Sequence, residues 1–206
     1  MDKVQQFLCT FVYPYDEDAP SSSVVSQAYT GLAFRDEEGA TYPEFDIHLY
    51  QEYGFLDLHG DGKVELLCVA ENGKAEFIVM VDQVGGLFHQ HRIVNQGEYP
   101  TLASRLYRPE GTEAYCIRAD EILEWPAGWA FADGLPRIPH VYEWNGQDWV
   151  LADTKHKDYY AKVVLPPLEA KLAQGPCPDG DAALQAKCRH SLEKEIAAVK
   201  AILAAP

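Results

Sequence analysis

Three acids stand four residues apart in the segment Asp57-Leu58-His59-Gly60-Asp61-Gly62-Lys63-Val64-Glu65-Leu66. Oxygen ligands at alternate positions of a tight loop converge on one hard cation. Calcium takes six to eight oxygens at about 2.3–2.6 Å, which suits an irregular loop. Gly62 permits the sharp turn after Asp61. Glu65 opens the next strand, where it can close the shell. The same residues also build a bare turn, in which Asp and Gly serve the backbone alone. Both readings stay open on the sequence.

The spacing resembles the calcium loop of FG-GAP and VCBS-type repeats, relatives of the integrin β-propeller blades. That family shows Asp-x-Asp/Asn-x-Asp-Gly-x-x-Asp/Glu ahead of an apolar strand. Asp57 matches the first ligand position, Asp61 the third and Glu65 the last, while the Lys63 carbonyl matches the backbone ligand. The second position is His59, where the family has an oxygen side chain. The resemblance covers about ten residues and implies a Ca2+ site at Asp57, His59, Asp61, Lys63 and Glu65. A degenerate second copy, Phe131 to Ile138, keeps Asp133 and Gly134 but carries Arg137 in place of the closing acid. A complete propeller takes about four to eight blades of four strands. This chain is therefore expected to form one or two blade-like sheets.

A second pattern is His89-Gln90-His91. Strand alternation puts both imidazoles on one face, which is the geometry of a zinc or iron pair. Glu98, His48 or His59 would have to supply a third ligand. The plainer reading is a pair of solvent-facing histidines. The chain has no nucleophile elbow, phosphate-binding glycine loop, His-Glu-x-x-His or dinucleotide fingerprint.

Of the five cysteines, Cys68 and Cys116 lie in strand-like apolar runs and read as small core residues. Cys177 falls in a Gly-Pro-rich loop and Cys188 on the helix after it. A disulfide there would staple loop to helix and point to a secreted or periplasmic protein. Two free thiols are the alternative. A redox pair would call for the short Cys-x-x-Cys spacing, which is missing.

The elements that must carry these residues are mostly strands. Tyr29–Phe34, Tyr42–Tyr50, Gly54–Leu58, Val64–Ala70, Ala75–Val81 and Leu87–Val94 are short apolar runs between turn residues. Asn72-Gly73 and Asn145-Gly146 mark two hairpins, the second joining His140–Trp144 to Asp148–Leu151. The pattern predicts antiparallel sheet in place of βαβ units. The tail predicts a short helix near Leu168–Ala173 after Pro166-Pro167. A longer helix over about Ala182–Leu203 follows, capped by Asp179 or Asp181. Leu184, Cys188, Leu192, Ile196, Val199 and Leu203 give that helix one apolar stripe to dock on the sheet.

The fold expected is mainly β, with antiparallel, propeller-blade-like hairpins and C-terminal helices, α+β overall. Residues 1–206 are expected as a single domain, with a β-rich body over 25–155 and a helical segment over 156–206. The 206 residues are 47% hydrophobic, enough for a core and far from a disordered chain. Net charge is −15 and the pI about 4.7. Such acidity argues against nucleic acid and against an anionic membrane surface. No stretch approaches the roughly 20 apolar residues that a bilayer needs. Met1–Cys9 lacks the pattern of a signal peptide, since its apolar core is short and Asp2 adjoins Lys3. A leader removed earlier stays open, and so does a cytoplasmic site.

Residues 1–60 hold eleven acids against Lys3 and Arg35, net −9, in runs such as Asp16-Glu17-Asp18 and Asp36-Glu37-Glu38. They read as solubilising surface or as a docking face for a basic protein. The leading expectation is a non-enzymatic, secreted or periplasmic binding or interaction protein, steadied by calcium, with a basic protein partner. The alternatives are a metal-dependent enzyme using His89 and His91 and a structural domain of a larger assembly.

Overall fold

The computed structural model describes residues 7–12, 30–35, 50–63, 65–71, 76–84, 87–97, 102–130, 134–177 and 180–206. The fold is α+β, with antiparallel sheets and a helical C-terminal region. The chain divides into two compact units. One comprises Met1–Asp57 and Gly62–Val94, the other Leu58–Asp61 and Asn95–Pro206.

The first unit holds a two-stranded ribbon, β1 (Phe7–Val12) with β2 (Thr30–Arg35), and a four-stranded sheet. That sheet runs β3 (Tyr50–Leu56), β4 (Glu65–Glu71), β5 (Glu76–Val84), β6 (Leu87–Asn95) in chain order. Each strand is hydrogen-bonded to its neighbour in sequence. Across β4 and β5, Leu67 faces Met80 and Val69 faces Ile78, and all four are buried. Such cross-strand apolar pairs hold a sheet in register.

The second unit is built on a sheet ordered β10 (Trp149–Leu151), β9 (Arg137–Trp144), β8 (Cys116–Ile122), β7 (Leu106–Tyr107). Pro139 sits inside β9 without breaking the sheet. β10 pairs only with Tyr142–Trp144, so no strand asks Pro139 for an N–H on that side. The predicted hairpin is present. Asn145 Oδ1 accepts from the N–H groups of Gln147 and Asp148, and Trp149 lies opposite Trp144.

A helical run follows β10. It passes from a 3-10 turn (Asp153–His156) through α1 (Lys157–Tyr159) and a π-helical turn (Tyr160–Val164) into α2 (Leu165–Gln174). The widened turn precedes Pro166 and Pro167, which have no N–H for the carbonyls one turn back. Sequence pattern saw only the end of this run. Helix α3 (Ala182–Ala204) starts on Asp181, whose carboxylate accepts the Leu184 N–H. Leu192, Ile196 and Val199 of its stripe are buried, while Leu184 stays exposed. Val199 joins Cys116, Ile138, Val141, Tyr159, Tyr160 and Val164 in one core cluster between helices and sheet. Cys177 and Cys188 are joined by a disulfide, which ties the loop before α3 to the helix.

Candidate functional site

The site begins with the pairing of β8 and β9. Ile117 lies opposite Tyr142 at the end of the ladder, and the next residues beyond it, Cys116 and Glu143, come close to one another. A third group arrives from the turn after β10. Asp153 pins that turn to β9 because its Oδ1 accepts the Val141 N–H at 2.8 Å and its Oδ2 meets His140 Nδ1 at 2.6 Å. The Tyr160 hydroxyl stands 2.6 Å from the same Oδ1. Three residues past this anchor, His156 reaches Glu143.

His156 Nε2 stands 2.8 Å from Glu143 Oε1 and 3.6 Å from Cys116 Sγ. The other carboxylate oxygen of Glu143 accepts from Lys155 Nζ at 2.7 Å. The edge of Tyr107 packs on the His156 ring, 5.5 Å between centroids. Cys116 and His156 are buried, and Glu143 is partly open. Burial pushes the Cys116 thiol up to about 12, the Glu143 carboxylate adding and Lys155 opposing. Burial alone would raise Glu143, but Lys155 and His156 outweigh it and hold the carboxyl below its ordinary value.

Cys116 and Glu143 open onto a cavity of about 280 Å³. Its walls come from the segment before β8, from Trp144 and from His59. The segment before β8 is a tight loop. Thr112 donates its N–H to the Pro109 carbonyl, Arg108 Nε donates to the Thr112 carbonyl, and Arg108 pairs with Glu113. Leu58, wholly buried, accepts the Tyr115 N–H through its carbonyl at 2.8 Å. Gly60, at φ +70°, lies so close that a Cβ would stand 2.8 Å from Glu113 Cβ. These contacts seat the short Leu58–Asp61 stretch in the second unit. The His59 ring stacks on Trp144 at 4.7 Å and tilts toward Trp149 at 5.9 Å.

The residues singled out for calcium are thereby distributed. Asp57, Lys63 and Glu65 belong to the first unit, His59 and Asp61 to the second. Asp57 Oδ2 accepts the Gly62 N–H at 2.9 Å, an Asp-Gly turn contact. Glu65 is buried on β4, and Asp61 and Lys63 are exposed. His91 is half-buried on β6. The side chain of His89, all of His48 and Glu98, Asn72-Gly73, Phe131–Asp133 and the acidic runs at 16–18 and 36–38 lie outside the described residues.

Sequence reasoning placed Cys116 in the core, where it is, but assigned no role to Glu143 or His156. The three are far apart in the chain and follow no motif spacing. Only the β8–β9 register and the Asp153 anchor bring them together. In comparisons with known proteins, no family model, curated sequence or solved structure matches the chain.

Proposed function

We propose that the protein is a non-enzymatic binding protein of an oxidising compartment, secreted or periplasmic, and that the cavity of its second unit receives a basic side chain of a protein partner. The observation that carries this reading is the cavity's lining. Trp144 and Tyr115 offer aromatic faces, Glu143 offers a carboxylate, and the space suits one side chain. Aromatic faces attract guanidinium and ammonium groups, and Arg108 already rests 5.6 Å above the Tyr115 ring. The net charge of −15 supports a basic partner, and the Cys177–Cys188 disulfide supports the compartment.

The geometry does not favour thiol catalysis. A nucleophile–base pair needs the imidazole held through its second nitrogen. Here Cys116 and Glu143 meet the same Nε2 of His156.

Titration with an arginine-rich peptide, followed by tryptophan fluorescence, tests the reading. The expected result is a saturable change that weakens as salt rises to physiological strength, where screening sets in at about 8 Å, and that Trp144→Ala abolishes. No change, or binding indifferent to salt, would count against it.

Calcium bound by oxygens of Asp57, Lys63 and Glu65 within the first unit belongs to the same proposal as a steadying ion, while His59 faces the cavity of the second unit. Its support is the ligand spacing and the Asp57–Gly62 turn. Melting with millimolar calcium and with chelator should differ by several degrees; identical curves would remove the site.

A further inference from the structure

We propose that Cys116, Glu143 and His156 form a centre for one borderline-soft divalent metal, zinc by chemical type, with its fourth position open to the cavity. With an ion in place both Glu143 oxygens are taken, so the metal and a basic side chain are alternative occupants of the cavity, and a titration run without peptide tests the metal alone. One ligand atom from each residue lies within 4.8 Å of the others. Zinc holds sulfur at about 2.3 Å and imidazole nitrogen at about 2.0–2.1 Å, which sets the two atoms about 3.6 Å apart in a tetrahedral shell. Cys116 Sγ and His156 Nε2 stand 3.6 Å apart. The 2.8 Å between His156 Nε2 and Glu143 Oε1 must open by about half an ångström to admit the ion.

Donor chemistry selects the metal. A thiolate with an imidazole rejects calcium and magnesium and suits zinc or cobalt. Three protein ligands with one free position is the arrangement of zinc sites that bind a further molecule. Glu143 would ligate through Oε1, leaving Oε2 with Lys155, so its outer partner is already in place. On binding, the Cys116 thiol gives its proton to solvent, and His156 carries its ring proton on Nδ1 so that Nε2 is bare. Thiolate and carboxylate together neutralise the two charges of the ion.

A second observation comes from across the cavity. His59 lines it, and both ring nitrogens are buried without a hydrogen-bond partner among the described residues. A molecule seated on the metal's open position is what those nitrogens would meet.

Cobalt(II) titration of the full chain, in thiol-free buffer near neutral pH, reads the sulfur directly. We expect a thiolate-to-cobalt charge-transfer band that saturates at one equivalent and is displaced by zinc. Cys116→Ser should abolish the band, and Glu143→Gln should keep it while weakening affinity at least tenfold. The metal-free melting curve of each variant separates lost binding from lost folding. Should Cys116→Ser fail to fold, His156→Asn takes its place and should also lose the band. No band in the wild type, or a band that survives in the folded serine variant or, in its place, the asparagine variant, overturns the proposal. Unchanged affinity in Glu143→Gln removes the carboxylate and overturns the three-ligand centre.

Discussion

Asp153 holds more of the second unit together than its size suggests. One carboxylate takes the Val141 N–H, the His140 ring and the Tyr160 hydroxyl, and so ties β9 to the helical run. Burial would raise its pKa, but the hydrogen bonds from His140, Tyr160 and Val141 hold it below the usual carboxylate range. His140 shows the opposite balance. Burial pulls it down, and Asp153 and Glu121 together hold it above its ordinary value. The signs fix a pH window. The His140 contribution is complete below about pH 6.5 and is lost as pH rises through its raised folded pKa. The Asp153 contribution is complete above about pH 3.9 and is lost as pH falls through its lowered folded pKa. The pair therefore stabilises most between those limits. Asp153→Asn should cost about 3 kcal/mol in urea unfolding at pH 5.5 and flatten the stability profile on both sides. A loss under about 1 kcal/mol, or an unchanged profile, would contradict this role. Nothing in the sequence marks Asp153, because its partners lie across a hairpin and on a later helix.

Among the elements, the Leu58–Asp61 stretch gives the sharpest contrast between sequence and structure. Gly62 was legible as a turn glycine, and its φ is +82° with no atom near a would-be Cβ. Gly60 was unremarked, yet it needs both a positive φ of +70° and the space beside Glu113 and Ala114. Gly62→Ala should cost about 1 kcal/mol, the ordinary penalty of a left-handed alanine. Gly60→Ala should cost more, about 2–3 kcal/mol, since strain and overlap add. Equal losses on chemical unfolding would show that the close approach carries no energy. β4, β5, β6 and the β9–β10 hairpin were readable from alternation and turn residues, whereas β3 straddles the two runs read as Tyr42–Tyr50 and Gly54–Leu58, and the two-residue β7 is too short to show a period. The helical run before α2 was not, because its Tyr160–Val164 turn departs from the 3.6-residue period on which a helix is read. The cap of α3 was narrowed to Asp179 or Asp181, and the hydrogen bond from Leu184 chooses Asp181.

At the scale of the whole molecule, the chain forms two compact units. Alternation does not reveal the division, since both units carry antiparallel sheet. The acidity was legible as a number and as a bias toward residues 1–60. Its bearing on a partner rests on the salt dependence already described. The candidate site was legible only in fragments: a buried cysteine, a hairpin tryptophan, a histidine assigned to a calcium loop. Their meeting around one cavity is a property of tertiary structure. If that cavity carries a metal, the ion should be held by one sulfur and by nitrogen and oxygen. Zinc-edge X-ray absorption of the protein loaded with one equivalent measures that shell directly. The account predicts one Zn–S distance of about 2.3 Å with two or three N/O neighbours at about 2.0–2.2 Å. A shell of nitrogen and oxygen alone would contradict it.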